Sequence, residues 1–203
     1  MKNNIRSREN INALVGTALL AALVIVLQFF VVIPIGIFYI TLTLVPIIIG
    51  AILYGWKSGA VLGGVFGVSV AVQVVTGAAG ALSTAMLVSR PVITIVLCIL
   101  KGVAAGLVSG LVFSLFKKKN MLAVIAAAIA SPIVNTGIFV GGLFVFYYPM
   151  MQEYASAGGF ANAVAFIFIG IVGLNFVVEF LINVLLIPVV LRVVRIITNK
   201  KAD

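Results

Sequence analysis

The sequence predicts an all-α integral membrane protein, a single domain over residues 1–203 with six transmembrane helices and both termini in the cytoplasm. Three observations predict it. Apolar residues make up 64% of the chain and charged residues 8%, too few charges to cover a soluble domain of this length. The apolar residues gather in runs near the ~20 residues that cross a bilayer. The cations flank these runs unevenly, as they do in the short loops of membrane proteins.

Pro, Gly and charge set the boundaries. The first helix is predicted from about Asn12 to Ile33, stopping before Pro34. The basic segment ahead of it has no Ala-x-Ala site followed by a soluble body, so an uncleaved helix is expected rather than a signal peptide. The second covers Phe38 to Tyr54, and the third runs from Ala60 to Thr76. Gly77 to Ser89 then reads as an outer loop rich in Gly and Ala, suited to a mobile lid. The fourth helix opens at Pro91, a favoured first-turn residue, and reaches Phe116. The fifth spans Met121 to Tyr148 with a kink at Pro132, whose missing amide breaks the ladder. The sixth runs from Asn162 to Val194. With the N-terminus inside, eleven cations (Lys2, Arg6, Arg8, Lys57, Lys117, Lys118, Lys119, Arg192, Arg195, Lys200 and Lys201) face the cytoplasm, and Arg90 alone faces outward. One helix more or fewer would erase that asymmetry.

Composition also excludes functions. The net charge of +9 sits beside apolar runs, which reads as membrane topology and not as a nucleic-acid surface. The single Cys98 allows no intrachain disulfide, and the absence of His removes His-based catalysis and His metal sites. No Gly-rich nucleotide loop of the Gly-x-x-x-x-Gly-Lys-Ser/Thr type is present, so the chain does not hydrolyse ATP itself. No catalytic constellation, metal site or cofactor is expected.

The thirteenth cation breaks the pattern. Lys101 lies inside the fourth apolar run, where a charge costs about 2.5–3.5 kcal/mol and calls for a partner. At 1.5 Å per residue it lies ~15 Å below the outer end of its helix, and Asn135 and Asn175 lie ~20 Å below theirs. Three polar groups on three helices thus reach one layer. Asn175, Glu179 and Asn183 share a helix face at i, i+4 and i+8. Two roles are open for Lys101: an ion pair with Glu179, or direct contact with an anionic ligand. Gln73 reads as a second lining residue or a group in interfacial water. Arg90 reads as an anion receiver at the pocket mouth or a solvated helix flank. Tyr147, Tyr148 and Tyr154 fit an interfacial aromatic belt at least as well as a site.

Ala18 and Ala22 form a small-xxx-small face in the first helix, on which another helix can pack closely. With this pattern, the six helices and the run from Val45 to Gly67 (VPIIIGAILYGWKSGAVLGGVFG), the chain resembles a substrate-binding S component of an energy-coupling factor (ECF) vitamin transporter. The resemblance covers nearly the whole chain, although Gly55-Trp56 stands where many relatives have Gly-Pro. It implies a subunit in a prokaryotic cell membrane that captures a vitamin from outside. Its implied partners are a membrane coupling subunit and two cytoplasmic ATPases, on which it topples to release the ligand. The family's coupling contact matches Ala18 and Ala22, and its ligand contacts come from helices 4, 5 and 6 and the outer loops.

The stretches Ser131 to Phe139 (SPIVNTGIF) and Gly173 to Glu179 (GLNFVVE) resemble the pantothenate branch. A small carboxylate with hydroxyls and an amide also suits Lys101 beside Asn135, Asn175 and Glu179. The expected pocket lacks the aromatic enrichment that would stack a flavin, pterin or thiamine ring, with Phe139, Tyr147 and Phe176 the residues open to stacking one. Riboflavin, folate or a thiamine precursor remain alternative ligands, and a self-sufficient permease with Glu179 as proton carrier remains an alternative mechanism. A ligand-free membrane scaffold is the third reading.

Overall fold

A computed structural model shows a helical bundle carrying one small hairpin. It describes residues 2–35, 38–116 and 121–199, with side chains placed except at 2–10, 32–35, 38–41, 174, 175, 198 and 199. Helix α1 (Lys2–Phe30) leads into strands β1 (Val32–Ile35) and β2 (Phe38–Thr41), followed by α2 (Leu44–Tyr54) and α3 (Trp56–Val75). Next come α4 (Ala81–Ser89), α5 (Pro91–Leu115), α6 (Met121–Phe146) and α7 (Tyr148–Ala157). A last helical run comprises α8 (Ala163–Ala165), a π-helical stretch (Phe166–Gly173), α9 (Leu174–Leu185) and α10 (Ile187–Asn199). Among the described residues, five segments are long and apolar enough to cross a membrane: Ile11–Phe30, Trp56–Val75, Pro91–Leu115, Met121–Phe146 and Ala163–Leu185. Leu44–Tyr54 is apolar but shorter.

Helices α3 and α5 form the centre of the bundle, and glycine is the reason. Gly59, Gly63 and Gly67 recur every four residues on α3, as do Gly102, Gly106 and Gly110 on α5. A Cβ at Gly63 would collide with the Gly102 carbonyl, and one at Gly59 with the Gly106 carbonyl. At Gly67 it would stand 2.6 Å from Ile99 Cα, and at Gly110 2.5 Å from Trp56 Cα. The two backbones therefore touch along three turns, a contact available only to residues without side chains. On the other side of α5, Ser109 Oγ donates to Ala127 O of α6 at 3.2 Å, which fixes an antiparallel register. That register brings Lys101, two turns along, close to the level of Asn135 and Phe139.

Two larger apolar clusters and a small one of Ala71, Val74 and Cys98 fill the bundle. Of the larger two, one gathers Ile47, Ile48, Leu62, Ala105, Ala127 and Val190; the other gathers Leu97, Leu143, Tyr147, Met151 and Ile167 at the α4 and α7 end.

Several boundaries differ from the sequence expectation. The first predicted helix ends at Phe30 instead of Ile33, and the second begins at Leu44 instead of Phe38. Between them Val32–Ile35 pairs antiparallel with Phe38–Thr41, because Pro34 lacks a helix-donating amide and the flanking β-branched and aromatic residues favour a pleated backbone. The supposed loop Gly77 to Ser89 contains α4, entered through Gly77 and Gly80 at φ 78° and 91°. Its Met86 is buried against the second cluster. The fifth predicted helix ends at Phe146, and α6 is continuous through Pro132. The sixth is not one helix. Asn162 caps its start, with Oδ1 accepting from Ala165 N at 2.9 Å, and the helix breaks at Leu186 ahead of Pro188. Lys117, Lys118, Lys119, Lys200 and Lys201 lie outside the described residues, as do the side chains of Lys2, Arg6 and Arg8.

Candidate functional site

A cavity of about 750 Å³ opens among α1, α3, α4, α5, α6, α7, the π-helical stretch and α9. That volume lies within the roughly 300–1,000 Å³ of small-ligand pockets. Helix α5 supplies its spine. Thr94, Leu97, Cys98 and Lys101 all line it at i, i+3, i+4 and i+7, one face of a helix. By helical rise the Thr94 and Lys101 positions are ~10 Å apart along α5. The adjoining face of α5 is committed to the glycine contact with α3, so the stripe cannot rotate away from the cavity.

Lys101, Asn135, Glu179 and Gln73 all line this one space, which brings together four of the side chains singled out in the sequence. Lys101 Nζ stands 5.0 Å from the ring centroid of Phe139 and 6.0 Å from that of Phe66. Among the described residues no carboxylate oxygen comes within 4.0 Å of it, so of the two roles open for Lys101 the ion pair with Glu179 is not formed here. Asn135 is buried and its Oδ1 has no hydrogen-bond partner. Asn183, on the same helix as Glu179, donates from Nδ2 to Glu179 O at 2.8 Å. The side chain of Asn175 lies outside the described residues.

Gln73 is less available than the sequence reading assumed. Its Oε1 accepts from Gln28 Nε2 at 2.7 Å and its Nε2 donates to Gln28 O at 2.9 Å. Gln28 in turn accepts from Thr43 Oγ1 at 2.9 Å. This chain of amides ties α1, α3 and the start of α2 together beside the cavity. Arg90 does not line the cavity. Its side chain is exposed, and its carbonyl accepts from Thr94 Oγ1 at 2.8 Å and from Tyr147 Oη at 3.2 Å. Tyr147 is not part of an interfacial belt: it is buried, with its hydroxyl 2.7 Å from Thr94 Oγ1. Thr94 also donates to Met86 O at 2.9 Å, so the two hydroxyls fasten α4 to α5 and α6. Tyr147→Phe should lower stability by about 1–2 kcal/mol, read as a reduced unfolding midpoint in detergent; an unchanged midpoint would show that the hydroxyl is dispensable.

Sequence reasoning missed part of the lining. Gln28 is an amide inside an apolar run, a signal of the same kind as Asn135. Thr94 and Cys98 stand at i−7 and i−3 from Lys101, a helical spacing that sequence reasoning did not use. The expected shortage of aromatic residues is overturned: Phe29, Phe139, Tyr154, Phe166 and Phe176 all line the cavity. They come from five separate segments, so no local run announces them. Tyr154 and Phe166 stack with centroids 6.1 Å apart and planes 14° from parallel. On α1, Ala18 and Ala22 lie one turn apart and are exposed, while Val24 and Gln28 are buried.

Comparison with known proteins agrees with this geometry. The family model described as "ECF transporter, substrate-specific component" matches residues 12–191. Among solved structures, the chain is similar to ThiT from Listeria monocytogenes, with a TM-score of 0.60 and 22% sequence identity, covering 91% of this chain and 98% of that one. At that identity the likeness shows the fold alone. A search of curated proteins gave no match. The chain belongs to the family of ECF transporter substrate-specific components, the membrane-embedded, substrate-binding subunits of these transporters.

Proposed function

We propose that this chain captures an anionic, hydroxyl- and amide-bearing vitamin of the pantothenate type for an ATP-driven importer. One observation carries the reading: Lys101 lines a cavity with Asn135 and Glu179, and its ammonium lies over aromatic faces with no carboxylate oxygen within 4.0 Å among the described residues. A ligand carboxylate supplies the missing counter-charge, Asn135 Oδ1 accepts from a ligand hydroxyl or amide, and Glu179 accepts from another. A cationic ligand is disfavoured by the same ammonium. In this reading the helices make six spans with both termini in the cytoplasm, the cavity faces outward, and α2 crosses together with the hairpin that precedes it. Arg90 then sits at the outer surface without touching the ligand.

The exposed Ala18 and Ala22 are the proposed seat of the membrane coupling subunit, which joins the chain to two ATPases. Ala22→Trp should leave ligand affinity intact and abolish ATP-driven uptake by the reconstituted complex; loss of ligand binding would assign Ala22 to internal packing. The five aromatic lining residues favour a second reading, a ring-bearing vitamin such as riboflavin, folate or a thiamine precursor. Calorimetry of the purified protein against pantothenate, riboflavin, folate and thiamine separates the two. Tight binding of pantothenate alone supports the first reading, and preference for a ring-bearing ligand replaces it with the second.

A further inference from the structure

The environment of Lys101 differs from that of an ordinary buried cation. Buried ammonium groups are normally held by carboxylates or by several carbonyls, because hydrocarbon gives them nothing to bond. Here Glu179 shares the cavity without coming within 4.0 Å, and the ammonium instead lies over two phenyl rings. Phe66 belongs to α3 and is 5% exposed, packed against the glycine contact: a Cβ at Gly102 would meet its ring. Phe139 belongs to α6, one turn beyond Asn135, and itself lines the cavity. The rings therefore approach Lys101 from the two helices that flank α5.

We propose that Phe66 and Phe139 are positioning residues for Lys101, holding its ammonium at the cavity wall by cation–π attraction and leaving its N–H donors free for a ligand carboxylate. A carboxylate in their place would hold the cation equally well, but the ligand would then have to displace it. A ring face attracts the ammonium without competing for its N–H donors. The pair thus favours anionic ligands over neutral ones. This inference rests on the reading of Lys101 as carboxylate anchor for its consequence on binding, but not for the interaction itself.

Progressive fluorination of Phe139 tests it, because fluorine withdraws charge from the ring face while changing its shape little. In detergent-solubilised protein without added ligand, the unfolding midpoint should fall stepwise from mono- to trifluoro-Phe139, and the same series should be flat in the Lys101→Met background. Pantothenate affinity should fall in parallel, by about 5- to 30-fold across the series. Phe139→Trp should retain affinity, while Phe139→Leu should lose it. A midpoint that ignores fluorination, or that falls equally with Lys101→Met, overturns the cation–π role whatever the ligand proves to be. If the midpoint is graded but wild-type protein and the Lys101→Met variant bind pantothenate alike, the positioning stands and the anchor reading of Lys101 fails.

Discussion

Lys101→Ala should weaken binding of an anionic vitamin by about 2–4 kcal/mol, roughly 30- to 800-fold, while the protein stays folded. The magnitude reflects burial. A ligand carboxylate that enters the cavity loses its water, and without the ammonium nothing on α5 repays that cost. Removing a cation that lacks a carboxylate partner should not harm the empty protein, so thermal stability is expected to hold or rise. Equilibrium binding and thermal unfolding on the same preparation check both halves. Unchanged affinity in a folded variant would refute the anchor role. Lys101→Arg is expected to restore little, since the broad planar guanidinium replaces a compact ammonium between two rings.

The largest structural effect is expected at Gly63. Gly63→Val should destabilise the protein by more than about 3 kcal/mol, because its Cβ meets the Gly102 carbonyl and neither backbone can yield without separating α3 from α5. The adjacent Gly64→Ala is the control. A Cβ there has only Val103 Cγ2 at 3.6 Å, an ordinary contact, and alanine is the better helix former. Size-exclusion profiles after graded heating should show Gly63→Val lost well below wild type and Gly64→Ala at or above it. Similar midpoints for all three proteins would mean that α3 and α5 do not pack through backbone contact. Since Lys101 precedes Gly102 on α5, loosening this contact should also impair ligand capture.

What was legible in the sequence followed from length, hydropathy and charge. The long apolar runs around Ile11–Phe30, Trp56–Val75, Pro91–Leu115 and Met121–Phe146 announce themselves because each must satisfy its own backbone in hydrocarbon. Lys101, Asn135 and Glu179 were visible because a polar group in such a run is conspicuous, and all three line one cavity. The glycine repeat that sets α3 against α5 was written at four-residue spacing and was readable in principle. Other features were not local. Nothing near Gly77 to Ser89 distinguishes a lid from a short helix until Met86 finds the cluster built by α5, α6 and α7. The aromatic lining assembles from five segments, and the partner of Lys101 turned out to be ring faces, which no spacing rule would single out.

The central claim is that an unneutralised Lys101 receives the carboxylate of a vitamin. Native mass spectrometry of the protein purified from cells fed with pantothenate, compared with its Lys101→Ala variant, tests it most directly. One pantothenate molecule should be released from the wild-type protein and none from the variant. A wild-type protein that carries no small molecule, or a variant that carries the same one as wild type, would contradict it.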